Sequence, residues 1–239
     1  MEAAMAETSL QLLGGFGLQV GQRDVHLPFQ AQRVLAYLAI GESPVMRHQV
    51  AAQLWPFTHH GPAQGNLRTA LWRVRQAAPS ALDGDRETVG LSGRVLVDLR
   101  QVLRPHRWAA STAARDLEAL LVLRRDLLPG WDEDWLLVER ERARQLRMRC
   151  LEGLSRSCVQ AGNITGAIEA AYAAMEIEPL RESAHLVLIE AHIADGNRAE
   201  AALHAAQTTD LIERELDIAP SPQFRERMHS LGIASDGTP

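Results

Sequence analysis

Between residues 146 and 205 the same residue types return at a spacing of 34. Leu146-Arg147 recurs as Leu180-Arg181, Leu154 as Leu188, Gly162-Asn163 as Gly196-Asn197, Ala167 as Ala201 and Ala171 as Ala205. Small residues at fixed offsets let paired helices approach closely, and Gly-Asn supplies the turn between them. A unit of this length cannot bury its own apolar face, so it must stack on neighbours or caps. The spacing therefore commits the C-terminal part of the chain to a small all-α stack.

The flanking sequence extends this reading. A long helix is predicted from about Asp134 to Ala161, stopping at Gly162-Asn163. Before it, Asp98 can cap a helix that Pro105 interrupts, Ser111/Thr112 start another reaching about Arg125, and Leu127-Leu128-Pro129-Gly130-Trp131 breaks the pattern. Thirty-four residues is the period of tetratricopeptide helix hairpins, whose grooves usually bind protein segments. Cys150 and Cys158 are separated by ~12 Å along one helix, beyond the ~7 Å reach of a disulfide, and read as buried thiols. His185, His192 and His204 lie on repeat helices without the carboxylate or Cys that would complete a metal site. Glu139-Arg140-Glu141-Arg142 reads as a solvated face.

The N-terminal part differs in charge. Residues 1–100 hold nine Arg against eight acids, and residues 101–239 hold sixteen against twenty-two; the chain has no Lys. From Ser43 to Leu82 there is no Asp or Glu at all, while Arg47, Arg68, Arg73 and Arg75 and two tryptophans, Trp55 and Trp72, fall inside the block. A basic module joined to an acidic one follows.

Three short runs, Leu10–Leu13, Phe16–Val20 and Val25–Leu27, predict an antiparallel meander with Gly14-Gly15 and Gly21-Gln22 in its turns. The Gly14–Gly17 cluster lacks the context of a phosphate loop. Helices follow over Gln30–Ile40, Arg47–Leu54 and 62–78, the last opened by Pro62 after a Pro/Gly/His-rich loop containing His59-His60. On a helical wheel Leu67, Ala70, Leu71, Val74 and Ala78 form the core face. Opposite lie Arg68, Thr69, Trp72, Arg75 and Gln76, flanked by Asn66 and Arg73: guanidinium forks, amides and a hydroxyl suited to phosphates and base edges. Thr88–Leu91 and Arg94–Val97 then predict a two-strand hairpin with Arg94 at its tip. Three helices and a hairpin behind a meander make a winged helix-turn-helix of the response-regulator type, with Arg47 and Arg94 as phosphate contacts. The fold class expected is thus an α+β winged helix-turn-helix followed by an all-α tetratricopeptide-like domain. The divisions are a tail over 1–8, a DNA-binding domain over 9–100 and a helical domain over 101–235.

The start of the chain lacks the basic and apolar regions of a secretory signal, and no window approaches the ~18 apolar residues of a membrane helix. No nucleophile, metalloprotease or nucleotide-binding motif is present. A cytoplasmic, nucleoid-associated protein without catalytic activity, cofactor, metal or membrane partner is expected.

These residues resemble the SARP family of actinobacterial antibiotic regulatory proteins, which join a winged helix to a bacterial transcriptional activation domain (BTAD). The resemblance rests on Leu54-Trp55, Asn66-Leu67-Arg68, Arg73-Val74-Arg75 and Val97-Asp98 in the first part. In the second it rests on Leu128-Pro129-Gly130, Glu139-Arg140, Pro179-Leu180-Arg181-Glu182, Ala199-Glu200-Ala201, Glu215-Leu216 and Ala219-Pro220-Ser221. It covers about residues 9–232. Two departures stand out: Ala205 replaces an aromatic, and Asp217 replaces the Gly usual after Glu-Leu. The resemblance implies a stand-alone regulator, without an ATPase module, that binds direct repeats in promoter double-stranded DNA and recruits RNA polymerase holoenzyme. It would act as a homodimer or as side-by-side copies on DNA. The other reading is a tetratricopeptide-type adaptor for a protein or ligand whose winged helix no longer binds DNA.

Overall fold

The computed structural model describes residues 7–41, 44–102 and 113–233. Ser43, Pro105, the Ser111/Thr112 helix start, the first six residues of the expected tail and the expected domain end at 234–235 lie outside these. The chain is α+β in its N-terminal part and helical beyond. It divides into two packing units: Met1–Val102 with Arg125–Arg142, and Leu103–Arg124 with Ala143–Pro239.

In the first unit, β1 (Thr8–Gln11), β2 (Gly17–Val20) and β3 (Arg23–Asp24) form an antiparallel meander, and β7 (Val95–Val97) runs parallel to β1 on its other side. Leu10, Leu18, Val95 and Val97 are buried while Gln11, Gln19 and Leu96 are exposed, the period of two that a half-buried sheet requires. The third strand precedes the expected Val25–Leu27 run, because Gly21 at φ +62 turns the chain within two residues. Leu12 and Leu13 leave the ladder and donate their N–H groups to the Asp98 carboxylate at 2.9–3.0 Å.

Helices α1 (Phe29–Ile40), α2 (Arg47–Leu54) and α3 (His60–Ala77) follow, beside a second sheet of β4 (Val45–Met46), β6 (Thr88–Leu91) and β5 (Leu82–Asp83) in the order β4-β6-β5. The hairpin expected between Thr88–Leu91 and Arg94–Val97 does not form: β6 pairs with β4 and β5, whereas β7 joins β1. The tight turn lies earlier. Gly84 sits at φ +129, where a Cβ would meet the Thr88 carbonyl oxygen at 2.6 Å. Asp85 then accepts from the N–H groups of Glu87 and Thr88 at 2.8 and 2.7 Å and from the Thr88 hydroxyl at 3.0 Å. Val95 and Val97 bury their side chains beside β1, which fixes β7 in the first sheet. Helix α4 (Asp98–Val102) closes this region, its Arg100 donating to the Ala39 and Gly41 carbonyls at the end of α1.

Residues 125–142 are stitched to the same unit. Leu13 and Leu127 form an antiparallel bridge, and the Leu128 N–H donates to the Leu12 carbonyl at 2.9 Å. Trp131 lies edge-on to Phe29 at 5.0 Å and stacks on Phe16 at 6.1 Å, and Trp135 meets Tyr37 edge-on at 5.3 Å. Glu133 binds Arg33 at 2.5 Å with both side chains nearly buried, and also accepts from the Trp135 indole at 2.8 Å. Arg140 donates to the carbonyls of Leu127, Leu128 and Trp131.

The second unit contains α5 (Ala113–Leu123), the later part of α6 (Asp134–Gln160), α7 (Ile164–Ile177), α8 (Glu182–Ala194), α9 (Arg198–Leu216) and α10 (Pro222–Ser230). The 34-residue spacing persists in three dimensions. Gly162 and Gly196 both end their helices at positive φ, +75 and +78. The following Asn163 and Asn197 donate back to Cys158 and His192 and cap the next helix by accepting from Gly166 and Glu200. Arg144–Glu178 and Arg156–Glu190 are ion pairs between positions 34 apart. Ala167, Ala170, Ala171, Ala173 and Ala174 of α7 are fully buried, and the Ser155 hydroxyl donates to the Ala167 carbonyl at 2.8 Å, a separation only small side chains allow. Cys150 and Cys158 are both buried and not in a disulfide. Asp217 takes the left-handed conformation (φ 54) at the end of α9, the geometry for which Gly is the usual residue.

Candidate nucleic-acid interface

Helix α3 carries its apolar residues at helical spacing, and Ala63, Leu67, Ala70, Leu71 and Val74 are all buried. That anchoring turns the remaining residues outward. Asn66, Arg68, Thr69, Trp72, Arg73, Arg75 and Gln76 are all exposed on the opposite half of the helix. Thr69, Trp72 and Gln76 follow its midline, with Arg68 and Arg75 on one flank and Asn66 and Arg73 on the other.

No acid occurs anywhere in α3. None of its three arginines makes an ion pair among the described residues. Trp72 is 52% exposed, and the Arg73 guanidinium lies 5.0 Å from its ring centroid. This cation–π contact holds a charge over the face of a half-exposed indole. The Thr69 hydroxyl donates to the Gly65 carbonyl at 3.1 Å, leaving its lone pairs outward.

Arg47 and Arg94 do not lie on that helix. Arg47 is half-buried at the start of α2, its Nε donating to the Thr88 carbonyl at 3.3 Å and its backbone N–H to Glu87. It therefore holds the base of the β5–β6 hairpin. Arg94 is exposed in the turn that carries the chain from one sheet to the other, its N–H 3.5 Å from the Ser92 hydroxyl. The hairpin loop instead holds Arg86 among Asp83, Asp85 and Glu87, all exposed. Hydrogen bonds from Thr88 and Glu87 hold the Asp85 carboxyl below its ordinary range.

Three features of this region escape the sequence reading. Helix α3 begins two residues before Pro62: His59 is its N-cap and His60 its first residue, with no side-chain cap. Neither is a usual capping residue, so composition gives no signal. Phe57, in the loop just before, is 97% exposed. The acidic hairpin tip has a signal in Asp83-Gly84, a turn dipeptide set among the charges of Asp83–Glu87. Among the described residues there is no group of three or more His, Cys, Asp or Glu placed to hold a metal, and no helix is long and apolar enough to cross a membrane.

A family model described as the bacterial transcriptional activator domain matches residues 95–231, more than half of the chain. Among solved structures, the chain is similar to Mycobacterium tuberculosis EmbR in complex with a low affinity phosphopeptide, with a TM-score of 0.75 at 17% identity. That match takes in 95% of this chain and 65% of the other, so the chain spans just under two thirds of the relative's length. No curated protein matches the sequence.

Proposed function

The chain belongs to the family of the bacterial transcriptional activator domain, and from that premise we propose that it is a DNA-binding transcriptional activator. Helix α3 enters the major groove, with Arg68, Arg75, Asn66 and Gln76 toward base edges and Arg73 toward the backbone. The observation that carries this is the exposed, acid-free face of α3, whose three arginines have no carboxylate partner among the described residues. In this reading α1–α3 and the β4-β6-β5 sheet form a winged helix-turn-helix of the response-regulator type, with β5–β6 as the wing. The wing's tip carries three carboxylates against Arg86, so it stays off the phosphates and α3 bears the contact. The 34-residue hairpins of the second unit form a tetratricopeptide-like surface for RNA polymerase, and copies sit side by side on direct repeats.

Binding of the full chain to a promoter fragment, followed by fluorescence anisotropy at several salt concentrations, tests the reading. Several phosphate contacts predict a steep fall in affinity with salt, and Arg73→Ala should lower the slope by about 1. Binding that ignores salt, or the absence of binding to any promoter fragment, would overturn it. A protein adaptor is the second reading, favoured by the exposure of Trp72 and Phe57, since aromatics also anchor protein partners. It predicts that Trp72→Ala abolishes partner capture while no promoter fragment is retained.

A further inference from the structure

Within the second unit, the end of α6, the second half of α8 and the end of helix α10 line a half-open pocket of about 330 Å³. This is the lower end of the ~300–1,000 Å³ range of small-molecule sites, and too small for a folded segment. Val159, Val187 and Leu231 supply an apolar lining, and Arg156, Gln160, Glu190 and Arg227 supply the polar one.

The polar groups are unequally matched. Both Arg227 contacts, Nε at 2.8 Å and a terminal nitrogen at 2.7 Å, go to one oxygen of Glu190. The other oxygen faces Arg156 only at 3.5 Å, beyond a well-made charge-assisted hydrogen bond. The other ion pair at the 34-residue offset, Arg144 of α6 with Glu178 at the end of α7, closes to 2.5 Å. Arg156 is thus loosened where its partner is shared, and two guanidinium groups stand over one carboxylate beside an apolar hollow. Both arginines are about half exposed, so neither charge is sealed off from an incoming ligand.

The geometry points to a binding site for a small amphipathic carboxylate, an aliphatic or aromatic acid whose apolar part fills the cavity while its carboxylate bridges Arg156 and Arg227. The surplus positive charge selects an anion, and the lining selects a hydrocarbon tail. The site is independent of what α3 binds.

Titrating the full, isotope-labelled chain with octanoate, octanol and octylammonium while following backbone amide signals by NMR tests this. Octanoate should give saturable shifts at Val159, Val187 and Leu231, with octylammonium at least tenfold weaker. Glu190→Gln removes the competing carboxylate and keeps the side-chain shape, so it should tighten octanoate at least tenfold. Arg156→Gln, at an exposed position, should weaken octanoate and leave octanol unchanged. If all three probes act alike, or none shifts these residues, or Glu190→Gln leaves octanoate affinity unchanged, the site is only a structural tie between three helices.

Discussion

Arginine does opposite work in the two units. In the second, Arg144, Arg156, Arg181 and Arg227 each meet a glutamate, two of them at the repeat spacing, and the pairs join one helix to another. On α3, Arg68, Arg73 and Arg75 meet none among the described residues. The guanidinium is the same; what differs is whether an acid lies within reach. Acid was kept out of forty residues around α3 and placed at the matching offset in the stack. Arginines that each hold an acid of their own belong to the fold, and arginines left without one, or sharing one as Arg156 and Arg227 share Glu190, are available to an outside anion.

The comparison breaks most visibly at Arg33, which the first unit treats as the second unit treats its arginines. Glu133→Ala would leave that nearly buried guanidinium and the Trp135 indole without their acceptor, and should cost ~3–5 kcal/mol. Denaturant unfolding followed by tryptophan fluorescence measures it. Replacing both partners, Arg33→Met with Glu133→Leu, should cost far less, because no charge is left stranded. By the same logic a fragment ending at residue 102 is a poor substitute for the first unit, since it lacks Trp131, Glu133 and Trp135.

Arg75→Ala should act the other way round. Stability should stay within about 0.5 kcal/mol, as for an exposed helical position, while DNA affinity falls by ~1–3 kcal/mol if the side chain reads a base. Competition binding against a one-base operator variant checks it: a base contact loses discrimination at that position, whereas a phosphate contact weakens both sequences equally.

The two signals behind this contrast were legible because both are local. The core face of α3 follows from Leu67, Ala70, Leu71 and Val74 at helical spacing, and its exposed half follows by subtraction. The stack follows from Gly-Asn and Ala at a fixed period. Long-range pairings were not legible. Leu127-Leu128-Pro129-Gly130-Trp131 reads only as an interruption, yet Leu127 and Trp131 meet Leu13 and Phe29, about a hundred positions earlier. The partner of β6 could not be read either: β4 and β5 have two residues each, too short to show alternation. Val95 and Val97 match a hairpin and a place beside β1 equally well, and burial, which sequence does not show, decides.

Histidine sharpens the contrast. His59 and His60 are exposed at the start of α3, whereas in the second unit His185 and His204 face one another at 3.0 Å. The His185 Nε2 lies 2.7 Å from the Pro179 carbonyl and so must carry its proton there; its Nδ1 then accepts from His204. Burial, with the neighbouring His185 and His192, pushes His204 down to about 4, and burial lowers His185 despite Glu182 nearby. The unfolded chain binds these protons more readily, so stability is full above pH ~6.5 and falls as pH drops toward about 4. Partial exposure of His204 screens the effect to the order of 1–2 kcal/mol. Urea midpoints between pH 7.5 and 4 measure it, and His204→Gln should flatten the curve.

The smallest effect belongs to the pair that best expresses the repeat. Arg144 and Glu178 are each about one third exposed, so water competes for both charges, and Arg144→Ala should cost only ~0.2–1 kcal/mol. A double-mutant cycle with Glu178→Ala isolates the coupling. A value near zero would mean that the buried alanines and the Gly-Asn turns carry the stack and that the ion pair only follows its register. A value well above ~1 kcal/mol would mean that the pairs set the register themselves. In that case loosening Arg156–Glu190 has a real cost, and the cavity beside it is a place where stability was given up for room.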